Sequence, residues 1–162
     1  MSEHPAPVDR HARTLARLAA VQGLYQIALN GTAAALVVEE FRAHHLRSEV
    51  DGIPLADADR EFFADLVLGT IENLPAIESR LAGALSKGRS LERVEAVLAA
   101  ILKVATYELL VRLDVPSAVV IDEYVEVAKS FFDTAQVGLV NGVLDRVAGE
   151  LRPDETAARI AS

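Results

Sequence analysis

Apolar residues recur at three- and four-residue spacing through most of this chain, and that spacing predicts helices. The first predicted helix covers 12–29, where Leu15, Leu18, Gln22, Tyr25 and Leu29 share a face. Asn30-Gly31 then offers a left-handed stop. A weaker pattern over 33–46 predicts a second helix, and its tail HHLRSEVDGIPLAD reads as a loop. Asp57 is placed to cap a third helix carrying Phe62, Phe63, Leu66, Val67 and Ile71, and Pro75 to open a fourth that ends in the 83–88 region. Ser90 has the chemistry to cap a fifth helix running from Leu91 to about Leu113. Its Val94, Val97, Leu98, Ile101, Leu102, Ala105 and Leu109 leave little room for solvent, which marks it as the central helix.

Asp114-Val115-Pro116 breaks that run, and Pro116 suits the first turn of a sixth helix. Valine and isoleucine there would also suit a strand, but Ile121, Val125 and Ala128, with acids at Asp122 and Glu126, favour the helical period. A seventh helix runs from about Gln136 to Glu150, with Leu139, Val140, Val143, Leu144 and Val147 inward. The expectation is an all-α single domain of about seven helices over 10–151. A polar, proline-bearing stretch at 1–9 reads as a disordered tail. Residues 152–162 read as a second tail, dispensable-looking after Pro153.

With 162 residues the chain is the size of one ordinary domain, and a 51% hydrophobic content is ample for a core. Aromatics are only 5%, so alanine, leucine and valine supply the bulk, as closely packed helices need. Net charge is −8, which excludes a surface that is basic all over but leaves room for a local cationic patch. One stretch fits that description: from Arg10 to Val38 there are three arginines and no acid. Arg10, Arg13 and Arg17 fall at i, i+3 and i+7, so they can share one helix face and follow a phosphate backbone. Tyr25, two turns beyond Arg17, could add a stacking ring, although its spacing suits the core equally well.

Other chemistry is poorly represented. Cysteine is absent, which removes disulfides, thiol nucleophiles and cysteine-based zinc sites and fits a reducing, cytoplasmic setting. The N-terminus has no uninterrupted apolar signal region, and no apolar run is long enough to span a membrane. His44 and His45 are adjacent and lack metal-ligand spacing, so no metal or cofactor is expected. Gly138-x-x-x-Gly142 is neither a phosphate loop nor a dinucleotide fingerprint. Asp122, Glu123 and Glu126 have no histidine or basic neighbour placed to tune a carboxyl group, and Lys129 reads as a surface partner of Glu126. No serine sits in a G-x-S-x-G setting, so no catalytic residue is expected.

The segments ARTLARLAAVQGLYQ, EFFADLVLGTIENL, LAAILKVATYELLVRLDVPSAVVIDEYVEVAKSF and LVNGVLDRVA, in that order, resemble the NusB transcription antitermination family from about Arg10 to Leu151. The resemblance implies two packed helical bundles. It implies binding of the single-stranded boxA element of nascent RNA together with ribosomal protein S10, in a complex with RNA polymerase, NusA and NusG. It leaves room for a homodimer. In the family an arginine-rich N-terminus binds RNA. Arg13, Arg17 and Tyr25 match that pattern, Arg10 lies just upstream, and Thr14 and Leu15 stand where further arginines are common. Before VNGVLD the family often has a lysine and an aromatic, where this chain has Gly138 and Leu139. A charged phosphate contact and a stacking ring are therefore both missing, and weaker RNA binding in isolation is expected. The family's acidic residue in the central helix is matched by Leu98, with Glu95 one turn earlier, so Glu95 and Leu98 mark the expected S10 surface.

The competing expectation is a structural adaptor that binds S10 and does little with RNA. A NusB-like domain also occurs in ribosomal RNA cytosine methyltransferases, but those enzymes need a catalytic cysteine that this chain lacks.

Overall fold

A computed structural model describes residues 9–44, 49–50, 52–85, 90 and 94–155. Seven α-helices lie wholly among them, α1 (Arg10–Asn30), α2 (Ala34–Ala43), α3 (Arg60–Glu72), α4 (Leu74–Ala84), α5 (Ala96–Val111), α6 (Ser117–Lys129) and α7 (Thr134–Leu151), and residues 153–155 are helical as well. Helices α1, α2 and α3 pack together on one side, and α4, α6 and α7 gather around α5 on the other. Helix α1 lies against α5 as closely as against α3, so the two bundles share one continuous core.

Local chemistry explains most of the boundaries. Asp9 caps α1 by accepting the Ala12 N–H at 3.0 Å, and Gly31 ends it in the left-handed region (φ 65°), as Asn30-Gly31 predicts. The third helix is capped by Asp59 rather than Asp57. Its carboxylate accepts from Phe62 N–H at 3.0 Å, while its own N–H donates to the Ala12 carbonyl. That backbone bond ties the start of α3 to the start of α1. Pro75 lies in the first turn of α4 as expected, and Asp133 caps α7.

Other expectations move. The loop before α3 contains a two-residue hairpin, Glu49–Val50 against Ile53–Pro54, with Gly52 at φ 77° in its turn. The central helix begins at Ala96, not Leu91, because Glu95 has extended backbone (φ −54°, ψ 141°) and contributes only its carbonyl to the first turn. Residues 91–93 lie outside the described part, as do 1–8 of the N-terminal tail and His45.

Helix α5 is buried nearly all round, as its composition requires, but so is the middle of α1 from Leu15 to Val21. Ala16, Ala19 and Ala20 are fully buried and let the neighbouring helices close in from every side. Leu29, placed by spacing on the inner face, is instead exposed. Helix α3 reaches α5 just as closely at Gly69, where a β-carbon would run into the Tyr107 ring. The boundary drawn at Leu151 also cuts too early. Arg152 is buried and donates to the carbonyls of Glu108, Leu109, Arg112 and Val115, which satisfies the end of α5 and the following turn. Glu155 in turn accepts from Arg152 and from the Ser117 N–H. The first residues of the supposed tail therefore belong to the fold.

Candidate nucleic-acid interface

The N-terminal half of α1 and the first turn of α6 form the walls of a cleft of about 270 Å³, lined by Arg10, Arg13, Arg17, Asp114, Pro116 and Glu123 among others. The i, i+3, i+7 arginines therefore do converge on one face. They are not equally available there.

Arg10 is exposed. The Arg13 side chain is only 17% exposed; its guanidinium lies 4.5 Å above the Phe62 ring and 3.8 Å from Asp114 Oδ2. Arg13 Nε is buried with no hydrogen-bond partner. Arg17 is in the core. Its Nε and Nη2 grip the fully buried Glu108 carboxylate, with Nε to Oε2 at 2.9 Å and Nη2 to Oε1 at 3.1 Å, and Nη1 lies 3.3 Å from Glu123. The expectation that Arg17 faces a phosphate backbone is corrected by this burial: it sits where α1 is covered on all sides, already paired. Tyr25 is half-buried and packs on the core, eight residues beyond Arg17 or ~12 Å along the axis.

The electrostatics follow from burial. Desolvation opposes the Arg17 cation, but the hydrogen bonds and charge of Glu108 outweigh it and hold the pKa above the ordinary arginine value. Burial raises the Glu108 carboxyl group, while Arg17 pulls it back towards ionisation. Glu123 also accepts from the Thr14 hydroxyl at 2.9 Å. Thr14, where the family resemblance leads one to look for an arginine, thus helps anchor this carboxylate, and the basic partner that Glu123 lacks in sequence comes from across the fold.

A second layer lies behind the first. Arg112 holds Asp114 through two hydrogen bonds of 3.1 Å and reaches Asp65 at 3.2 Å. Those bonds keep the Asp114 carboxyl below the usual carboxylate range. Asp65 accepts from the Tyr107 hydroxyl at 2.7 Å, and burial followed by that bond pushes the phenol far up. Phe62 is contacted by three guanidinium groups, those of Arg13, Arg17 and Arg112, at 4.5–5.1 Å from its centroid. Glu108, Arg112, Asp114, Asp65 and Phe62 were not among the sequence-derived site residues. Glu108 carried a usable signal: one carboxylate in an otherwise greasy helix requires a buried cation.

The remaining expectations divide. Glu95 is exposed at the start of α5, but Leu98 is 3% exposed and packs in the core, so Leu98 is corrected as a surface residue. Burial of almost the whole circumference of α5 is the reason. Gly138 is exposed on α7, with open space where a β-carbon would stand, and Leu139 packs partly into the core. Among the described residues no group of three or more His, Asp or Glu could hold a metal, and no helix is long and apolar enough to cross a membrane.

Comparison with known proteins places this geometry. A model of the NusB family matches residues 14–149. The transcription antitermination protein NusB of Caulobacter vibrioides is 45% identical over 140 residues, covering 86% of this chain and 94% of the relative. That of Nitrobacter winogradskyi is 43% identical over 159 residues, covering 97% and 99%. Among solved structures, NusB of T. maritima superposes with a TM-score of 0.72 at 30% identity, covering 96% and 99%. A chain from the complex of antitermination factors NusB and NusE with dsRNA superposes at 0.71 with 22% identity, a likeness of fold, covering 88% and 99%.

Proposed function

Because this chain belongs to the NusB family, we propose that it is a transcription antitermination factor that binds RNA together with NusE, which is ribosomal protein S10. The observation that carries the reading is the match of relatives bearing that name over nearly their whole length. The solved complex of NusB and NusE with RNA supports the choice of partners. The finer reading is that the RNA is a single-stranded boxA element of ribosomal RNA operons, and that RNA polymerase, NusA and NusG complete the assembly in the cytoplasm. A homodimer belongs to the same reading, as a form of the free protein.

Arg10 and Arg13 line the RNA-contacting wall of the cleft in this reading, with Tyr25 further along α1. Arg17 acts through Glu108 and Glu123, as a positioning residue. Glu95 contributes to the S10 surface. Unpaired bases are the readable part of such an RNA, since the grooves of an RNA duplex hide base identity. Joint binding of RNA and S10 couples the two affinities reciprocally.

A second reading, an S10 adaptor with little RNA binding of its own, is favoured by one observation: two of the three arginines already face carboxylates. Titration of labelled boxA-like and scrambled RNA, with and without S10 and at two salt concentrations, separates the two. Charge reversal of Arg10 and Arg13 weakens binding and flattens the salt dependence if the cleft holds RNA. Equal binding of both RNAs with S10 present selects the adaptor.

A further inference from the structure

The cleft holds a carboxylate that competes for one of its cations. Asp114 sits in the turn between α5 and α6 with its side chain 55% exposed, and Arg112 fixes it from behind by two hydrogen bonds. Its Oδ2 faces Arg13 Nη1 at 3.8 Å, too long for a hydrogen bond but close enough for attraction. Arg13 is otherwise poorly satisfied: one face lies on Phe62 and its Nε has no acceptor. An oxygen-rich anion entering the cleft would offer Arg13 what Asp114 supplies only in part.

We propose that Asp114 is an affinity-limiting residue of the RNA cleft, occupying Arg13 in the free protein so that RNA must displace it. This rests on the RNA-binding reading above. Arg112 makes the device work, because its two bonds hold the carboxylate in place instead of letting it follow Arg13. Asp65 in turn holds Arg112 from the other side. Any phosphate meets the same competition, so every RNA that contacts Arg13 loses the same factor in affinity. One whose bases also fill the cleft can overcome it.

The size of the effect is bounded by what a partly exposed ion pair contributes, at most ~1 kcal/mol or about fivefold in affinity. Asp114→Asn is therefore expected to bind a boxA-like RNA about three- to fivefold more tightly than the unmodified chain, and scrambled RNA by the same factor where it contacts Arg13. Asp114→Ser serves as a second variant, and a gain of binding cannot be produced by misfolding. Repeating the substitution in an Arg13→Gln chain supplies the decisive comparison. Loss of the gain there supports competition for Arg13. An equal gain in that Arg13→Gln background overturns the proposal, because Asp114 would then act by general repulsion or through a freed Arg112. Unchanged affinity in Asp114→Asn, with normal binding by the unmodified chain, overturns the proposal and leaves RNA binding intact. Absence of RNA binding by every chain, with and without S10, overturns both.

Discussion

Helices α1 and α5 run in opposite directions, and the two ends of their contact differ in chemistry. At one end Arg17 meets Glu108 beside the charged cleft. At the other, Leu24, Ile27 and Ala28 face Val94, Ala99 and Ala100 across an apolar groove also of about 270 Å³. Openings of equal size at the two ends of α1, one walled by α6 and the other by α5, thus have opposite character. The apolar end can tolerate small shifts of its side chains because dispersion is non-directional. The polar end cannot, because desolvated charges are stable only with their partners in place. The charged end is therefore the rigid one, suited to presenting a ligand with fixed donors.

The largest test of that contrast is removal of one member of the buried pair. Glu108→Ala is expected to lower the free energy of unfolding by about 3 kcal/mol in urea titrations, since it leaves the buried Arg17 cation with only the partly exposed Glu123. Replacing both residues with apolar ones, Arg17→Met with Glu108→Leu, is expected to recover most of that loss and still weaken RNA binding, because Glu123 loses its support. Full retention of RNA affinity by the double variant would mean the pair is structural filler.

A smaller effect tests the layer behind. Tyr107→Phe is expected to cost about 1 kcal/mol at pH 8 through loss of the bond to Asp65. Tyr107 holds its proton more tightly when folded than when unfolded, so its contribution is complete below the unfolded phenol pKa of about 10 and is lost as pH rises beyond it. The variant should accordingly lose less stability than the unmodified chain between pH 8 and 11. Tyr124, also raised by burial and then by the Glu108 charge, supplies the alkaline sensitivity that persists.

Arg10→Ala comes next. Arg10 is exposed, so its replacement should leave the urea midpoint in place and make the log–log salt dependence of RNA binding shallower by about 0.7, one phosphate on a single strand. The smallest expected change is at the other end. Ala28→Leu fills part of an open apolar groove and should shift stability by less than about 0.5 kcal/mol, with RNA affinity untouched. An RNA effect there would break the division between the two ends.

Much of the scaffold was legible in advance because helix stops and apolar spacing are local. Asn30-Gly31, Pro75 and the inward valines of α7 needed no partner to be read. Where a choice lay between two similar residues, as with Asp57 and Asp59, the tertiary bond from Asp59 N–H to Ala12 decided it. Of the site, the convergence of Arg10, Arg13 and Arg17 was visible from helical geometry, but their availability was not. Arg152 illustrates the same limit: nothing beside it in the chain announces that four carbonyls will surround its guanidinium.

What the chain determined by itself was the set of helices, an acid-free start to α1, and the family to which it belongs. Only the assembled fold decided which arginines stay free. A guanidinium's role depends on the carboxylates and carbonyls brought beside it from distant positions: Arg17 and Glu108 are 91 residues apart, and Thr14 and Glu123 are 109. Periodicity reports which face of a helix a residue occupies, whereas burial and pairing depend on what the rest of the chain places against that face.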